Sequence, residues 1–164
     1  MPKSLNLVSA NCGKVTPGNV EEYVRAGGYE SLKKALSMRP CAVVDEIVAS
    51  GLRGRGGADF SAGSKWAHRL HVEAGPKYIV CNADEGEPGT FKDKLLLEKD
   101  PLCVIEGMTI AGRVFDSHDG YIYIRGEYRA IQHSFQKAVD NAVAAGYLGN
   151  NILGSGFNFH IHIM

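Results

Sequence analysis

Three short β-prone runs, residues 78–81, 121–125 and 157–164, are separated by stretches that read as helices. The first run, Tyr78-Ile79-Val80-Cys81, follows Gly75-Pro76 and is apolar throughout, which predicts a buried strand. The last alternates in polarity from Phe157 onward. Helical spacing of apolar residues predicts a helix over 29–38 (Tyr29, Leu32, Ala35, Leu36) and a second over 43–50, ended by Gly51. After the first strand, Thr90 is expected to cap a helix through Leu95, Leu96 and Leu97, with Asp93 as an imperfect capping-box acid. Pro101 is expected in the first turn of another helix reaching about Val114. Asp119-Gly120 reads as a turn before the second strand. A long amphipathic helix over 127–145 presents Ile131, Phe135, Ala138, Val139, Ala142 and Val143 on one side. The order strand, two helices, strand, helix, strand predicts an α/β fold with a mostly parallel sheet, flanking helices and right-handed crossovers. The chain stops inside the last run, which reads as a truncated chain or as a sheet edge completed by a missing segment.

Composition narrows the function classes. The 164 residues carry 18 basic and 18 acidic side chains, a balance that speaks against a general nucleic-acid binder. No apolar stretch approaches the roughly 18 residues of a membrane span, so direct membrane insertion is not expected. The start lacks a signal-peptide pattern, and a cytoplasmic location follows, free or docked on a membrane complex through partners. Cys12, Cys41, Cys81 and Cys103 form no Cys-x-x-Cys pair, so neither zinc nor an iron–sulfur cluster is signalled. They read as free thiols in a reducing compartment, with Cys81 and Cys103 buried.

Two segments carry chemistry. Residues 51–60 hold four glycines, two arginines and Phe60 directly after a helix. Glycines let a backbone approach a ligand closely and offer amide donors to a phosphate. Their place after a helix differs from a dinucleotide fingerprint, in which the glycines open one. The segment Cys81-Asn82-Ala83-Asp84-Glu85-Gly86-Glu87-Pro88-Gly89-Thr90 starts at the carboxyl end of the first strand, where open α/β sheets bind ligands. Plainer readings stand beside these: a surface turn for the glycines, a solvated helix-capping turn for the acids, a surface role for Lys65 and a packing role for Trp66. Arg125, Glu127 and Arg129 read as a salt-bridged strand-to-helix junction, and Tyr121 and Tyr123 as neighbours on one sheet face. His160 and His162 share a strand face but lack a third ligand nearby, so no metal site is expected.

In these residues the chain resembles the NADH-binding flavoprotein subunit of respiratory complex I. It equally resembles the related flavin subunits of NAD-linked hydrogenases and formate dehydrogenases. The matching runs are Ser50-Gly51-Leu52-Arg53-Gly54-Arg55-Gly56-Gly57, Lys65-Trp66, the segment from Cys81 to Asp93, Ile105-Glu106-Gly107-Met108, Tyr121 to Tyr128, and Asn151 to Phe157. They cover roughly residues 28–160, in family order. The resemblance implies an amino-terminal extension over 1–27 and, over 28–164, part of a Rossmann-like FMN/NADH-binding domain. The β-grasp-like and [4Fe–4S] helical domains of the family lie outside this sequence, which holds none of the cluster ligands.

The same resemblance implies the cofactors FMN and NAD(H) or NADP(H), and as partners the iron–sulfur subunits of a multisubunit oxidoreductase. Gly54, Arg55, Gly56 and Gly57 would lie against FMN, Lys65 near the flavin, and Asn82 and Asp84 would hydrogen-bond it. Glu87 matches the acid beside the nicotinamide and its ribose, the one residue assigned to the catalytic centre. Phe60 matches an aromatic stacked on adenine, and His68 takes the place of a second stacking ring. Such residues need only align two rings, because hydride transfer requires no general base. This sequence departs from the family at Asp59, which replaces a glycine, and at Ser61-Ala62. Asp59 either brings negative charge to a bound phosphate or faces away from it. A non-catalytic nucleotide-binding remnant and an interaction module are the alternative readings.

Overall fold

Strands β1 (Tyr78–Ala83), β2 (Asp119–Ile124) and β3 (His160–Ile163) lie parallel in the order β1-β2-β3. The structure is a computed structural model that describes residues 7–56, 58–72 and 75–164. Ahead of the sheet come α1 (Val20–Arg25), α2 (Glu30–Ser37), α3 (Pro40–Ser50) and α4 (Ala62–Leu70). Helices α5 (Lys92–Lys99) and α6 (Pro101–Phe115) connect β1 to β2, and α7 (Arg129–Ala144) connects β2 to β3. The expected α/β order is therefore present, with helical crossovers between parallel strands.

Proline sets two helix starts, since its fixed φ and missing N–H are tolerated at the first turn. Pro40 opens α3 and Pro101 opens α6. Gly51 ends α3 in the left-handed region at φ 66°, where a Cβ would be penalised. The core packs one sheet face against α6 and α7. Ile122, Ile124 and Ile161 meet Ile105, Met108, Ile131, Phe135 and Ala138 in one buried cluster. Tyr23 of α1 and Val15 belong to the same cluster, so the segment ahead of residue 28 shares the core of the rest. Buried Glu106 of α6 joins them: Tyr23 Oη donates to its Oε2 at 2.7 Å, and the Tyr29 and Leu32 amides donate to its carboxylate at 2.9 and 3.0 Å.

Several expectations need correction. Strand β1 is not buried on both faces: Val80 is 69% exposed, whereas Ala83 is 3% exposed. The sheet face carrying Tyr78, Val80, Asn82, Tyr123, His160 and His162 is open, so apolar side chains occur there without burial. Asp119 and Gly120 lie within β2 rather than in a turn. Gly120 is there for space, because a Cβ would come within 2.6 Å of the Phe159 ring. The first turn of α5 is capped neither by Thr90 nor by an Asp93 box. The buried Glu85 carboxylate takes that role, accepting the Asp93 and Lys94 amides at 2.9 and 3.1 Å. Val143 is 47% exposed, on the outer edge of the α7 stripe. Cys103 is exposed and Cys81 half-buried. Helix α4 is an element the sequence reading did not assign; its two large apolar residues, Trp66 and Leu70, stand four apart on one helical face.

Candidate functional site

The glycine segment folds as a closed loop between α3 and α4. Arg53 and Ser61 form an antiparallel bridge, the Gly54 N–H donates to the Phe60 carbonyl at 2.8 Å, and the Ala62 N–H donates to that of Leu52 at 2.9 Å. Asp59 adopts φ 48°, the left-handed conformation suited to the glycine it replaces. Asp is among the few side chains that tolerate it. Its carboxylate faces Arg53, whose Nε donates to Oδ2 at 2.9 Å. Of the two options for Asp59, the structure therefore shows its charge turned onto the base of the loop. Gly54, Arg55, Gly56 and Phe60 are exposed, Phe60 at 59%. Gly57, expected in the same loop, lies outside the described residues.

Helix α4 begins at Ser61, whose Oγ accepts the Ser64 N–H at 3.2 Å. It packs on α3 through Gly63, where a Cβ would stand 2.6 Å from Val48 Cα. That close approach fixes the axial position of α4. Lys65 and His68, three residues apart, are both exposed on it. His68 Nδ1 lies 3.2 Å from the Ser64 carbonyl oxygen. Trp66 turns inward to meet Phe115 edge-on at 5.2 Å, the packing role expected of it.

The acidic segment leaves the carboxyl end of β1. Asn82 is exposed, and its Oδ1 accepts the Asp84 N–H at 3.0 Å, which leaves the Asn82 amide group as a donor. Asp84 and Glu87 are exposed, and among the described residues neither they nor Arg55 and Lys65 enter an ion pair. Glu85 differs from its acidic neighbours: it is 2% exposed and engaged with α5. Arg125 donates through Nη1 to the Glu85 carbonyl at 2.9 Å and pairs with Glu127 at 3.0 Å. This is the expected strand-to-helix junction without Arg129.

Gly54 and Phe60 are thus joined in one cluster and Asn82 and Asp84 in another. No hydrogen bond or ion pair among the described residues links the two. An apolar groove of about 510 Å³ between α2, α3, α4 and α6 reaches the loop at Leu52 and Ala62. None of the expected contact residues lines it, so it is not the polar site. The exposed side chains suit an anionic, hydroxyl-rich planar ligand: Arg55 and Lys65 for a phosphate, Asn82 for a ring or ribityl edge, and Asp84 and Glu87 for hydroxyls. On the open sheet face, His162 Nε2 and Asp119 Oδ1 lie 2.8 Å apart. Among the described residues no helix is long and apolar enough to cross a membrane.

Comparison with known proteins bears on this arrangement. The family described as the Nuo51 FMN-binding domain matches residues 47–164, spanning both the glycine loop and the acidic segment. An NADH-quinone oxidoreductase subunit of Aquifex aeolicus (strain VF5) is 44% identical over 160 residues, covering 98% of this chain and 37% of that protein. The NADP-reducing hydrogenase subunit HndC of Solidesulfovibrio fructosivorans is 47% identical over 161 residues, covering 98% of this chain and 33% of its own length. The chain thus spans about a third of the curated relatives it matches. Among solved structures, an NAD+-reducing [NiFe]-hydrogenase in the H2-reduced state superposes with a TM-score of 0.69 at 31% identity, covering 79% of this chain and 21% of that one.

Proposed function

The chain belongs to the Nuo51 FMN-binding domain family, and from that premise we propose that residues 28–164 form part of an FMN- and NADH-binding domain of an NADH:acceptor oxidoreductase. The observation that carries this reading is that one family match runs through both exposed clusters. In it the glycine loop with Arg55 and Lys65 holds the phosphate end of FMN, with Gly54, Gly56 and Gly57 allowing close approach. Apart from its chain neighbours, a side chain at Gly56 would meet no atom of the described residues within 4 Å, which leaves space over that glycine for a ligand. Asn82 and Asp84 hydrogen-bond the flavin. Glu87 orients the nicotinamide ribose, while Phe60 and His68 stack on the adenine end of the dinucleotide.

Bound FMN supplies a two-electron acceptor that can release electrons singly. What the chain contributes is alignment and charge: cations for phosphate and carboxylates for hydroxyls. Electrons then pass to iron–sulfur clusters held outside this sequence, in a multisubunit assembly of the kind named for the relatives. The dinucleotide is NADH or its phosphorylated form, and the assembly is cytoplasmic or peripheral to a membrane complex.

The test is flavin titration of the purified chain by fluorescence quenching, followed by NADH addition without air. FMN binding that weakens about tenfold or more in Lys65→Ala and Asn82→Ala is the expected result, the equivalent of losing one charged or well-made hydrogen bond. A folded chain that binds no FMN overturns the proposal.

A further inference from the structure

Of the three acids in the Asp84–Glu87 stretch, one is withheld from solvent. Glu85 lies two residues past the end of β1 and is 2% exposed. Its Oε1 accepts the Asp93 amide at 2.9 Å and its Oε2 the Lys94 amide at 3.1 Å. Helix α5 has no side-chain cap at Phe91, so these contacts satisfy two of its orphan donors. The Glu85 carbonyl accepts Arg125 Nη1 at 2.9 Å, from the end of β2. One residue therefore ties the start of the loop to the helix that closes it and to the neighbouring strand. The intervening segment, from which Glu87 projects, is a short span pinned at both ends, and Asp84 lies directly ahead of its first anchor. A carboxylate suits this task, because each of its two oxygens accepts one of the two amides and neither end presents a donor to them.

We infer that Glu85 is the positioning residue of this loop, and that it acts on FMN and NADH binding only through Asn82, Asp84 and Glu87, touching neither ligand. This inference rests on the function proposed above. Removing the side chain leaves two partly buried amides without their protein acceptor and frees the loop to sample other conformations. Glutamine keeps the shape and one acceptor oxygen, but sets an NH2 group against the second amide.

The experiment compares the unaltered chain with Glu85→Ala and Glu85→Gln, at a temperature where all three are folded by far-UV circular dichroism. Amide hydrogen exchange is read residue by residue, and FMN affinity by fluorescence quenching. At Asp93 and Lys94 exchange should quicken about tenfold or more in Glu85→Ala while Ile122 in β2 is unchanged, the pattern of a local opening. FMN affinity should fall about tenfold in the alanine variant and by an intermediate factor in the glutamine one. A purely stabilising residue would lower the unfolding midpoint and leave FMN affinity of the folded chain untouched, and that result overturns the inference. Exchange that is unaltered, or that quickens uniformly through the sheet, overturns it as well. If the unaltered chain binds no FMN, the proposed function falls, and the local exchange pattern alone decides whether Glu85 fixes the loop. Should the alanine variant not fold, the glutamine variant carries the same comparison.

Discussion

Arg53 and Asp59 close the glycine loop at its base, with Nε donating to Oδ2 at 2.9 Å beside the Gly54-to-Phe60 backbone hydrogen bond. Asp59 occupies a position that the resembled family fills with glycine, and it keeps the left-handed backbone such a position needs. The pair neutralises one of the two loop arginines, while Arg55 enters no ion pair among the described residues. Both partners are more than half exposed, so the attraction is screened and modest, about 0.2–1 kcal/mol.

Substitution at residue 59 separates the backbone demand from the charge. Asp59→Gly relieves the left-handed strain and releases Arg53, so stability should stay within about 0.5 kcal/mol of the original. FMN affinity should rise by a few-fold and become more sensitive to salt, because a second cation is then free for phosphate. Asp59→Ala keeps the strain and loses the pair, at a cost of roughly 1–2 kcal/mol. Urea unfolding and FMN titration at two ionic strengths check both. Equal stability of the glycine and alanine variants would contradict the backbone argument.

Gly63 holds α4 against α3, and its replacement should be felt at Lys65. A Cβ there would meet Val48 Cα at 2.6 Å and its amide nitrogen at 2.7 Å, atoms of a helix backbone that cannot rotate away. Overpacking costs about 1–3 kcal/mol, against a gain near 1 kcal/mol from alanine's helix propensity. Gly63→Ala should therefore lower stability by up to about 2 kcal/mol. Trp66 fluorescence should shift, since Trp66 sits on the same helix against Phe115 at 5.2 Å. An unchanged urea midpoint and emission maximum would show that α4 sits farther from α3.

The order of strands and helices, α1 and α4 apart, was legible because hydrophobic period and proline–glycine punctuation are local signals, as at Pro101 and Gly51. The two site segments were legible for a similar reason, since unusual residue types crowd into ten positions. What local pattern could not reveal is which acid of a cluster is structural. Glu85 serves amides eight and nine residues ahead, a relation set by the path of the loop. Gly120 misled for the same reason: beside Asp119 it reads as a turn, whereas its role depends on Phe159, 39 residues later, being packed on it. The open sheet face was equally hidden, because Val80 is apolar in sequence whether or not anything covers it.

The start of α1 carries a titratable lock. Glu22 Oε2 accepts the Thr16 N–H at 2.7 Å, while Asn19 Oδ1 caps the Glu22 N–H at 3.1 Å. The Thr16 amide, foremost, holds the Glu22 carboxyl below its ordinary range. Because the folded pKa is depressed, the contribution to stability is present above the unfolded value of about 4.3 and is lost as pH falls through the folded value. Glu22→Gln should be less stable than the original near neutral pH, and the gap should narrow steadily as the solution is acidified below about pH 4.3. Urea midpoints across that range, with the Thr16 amide shift followed by NMR, test the sign. A gap that widens on acidification would contradict it.

Phe159 is fully buried between two glycines, one on a helix and one on a strand. A Cβ on Gly112 of α6 or on Gly120 of β2 would stand 2.6 Å from its ring. The ring thus spaces α6 from the sheet, and neither neighbour can give way cheaply. Gly120→Ala should cost about 1–3 kcal/mol through overpacking. Phe159→Leu should cost several tenths to a few kcal/mol, since it leaves space over both glycines. In the double variant the added methyl enters that space, so the two effects should fall short of their sum by at least about 0.5 kcal/mol. Urea denaturation of the four proteins in the cycle measures the coupling. Strict additivity would mean that Gly120 and Phe159 do not touch, and that the glycine in β2 answers to some other demand.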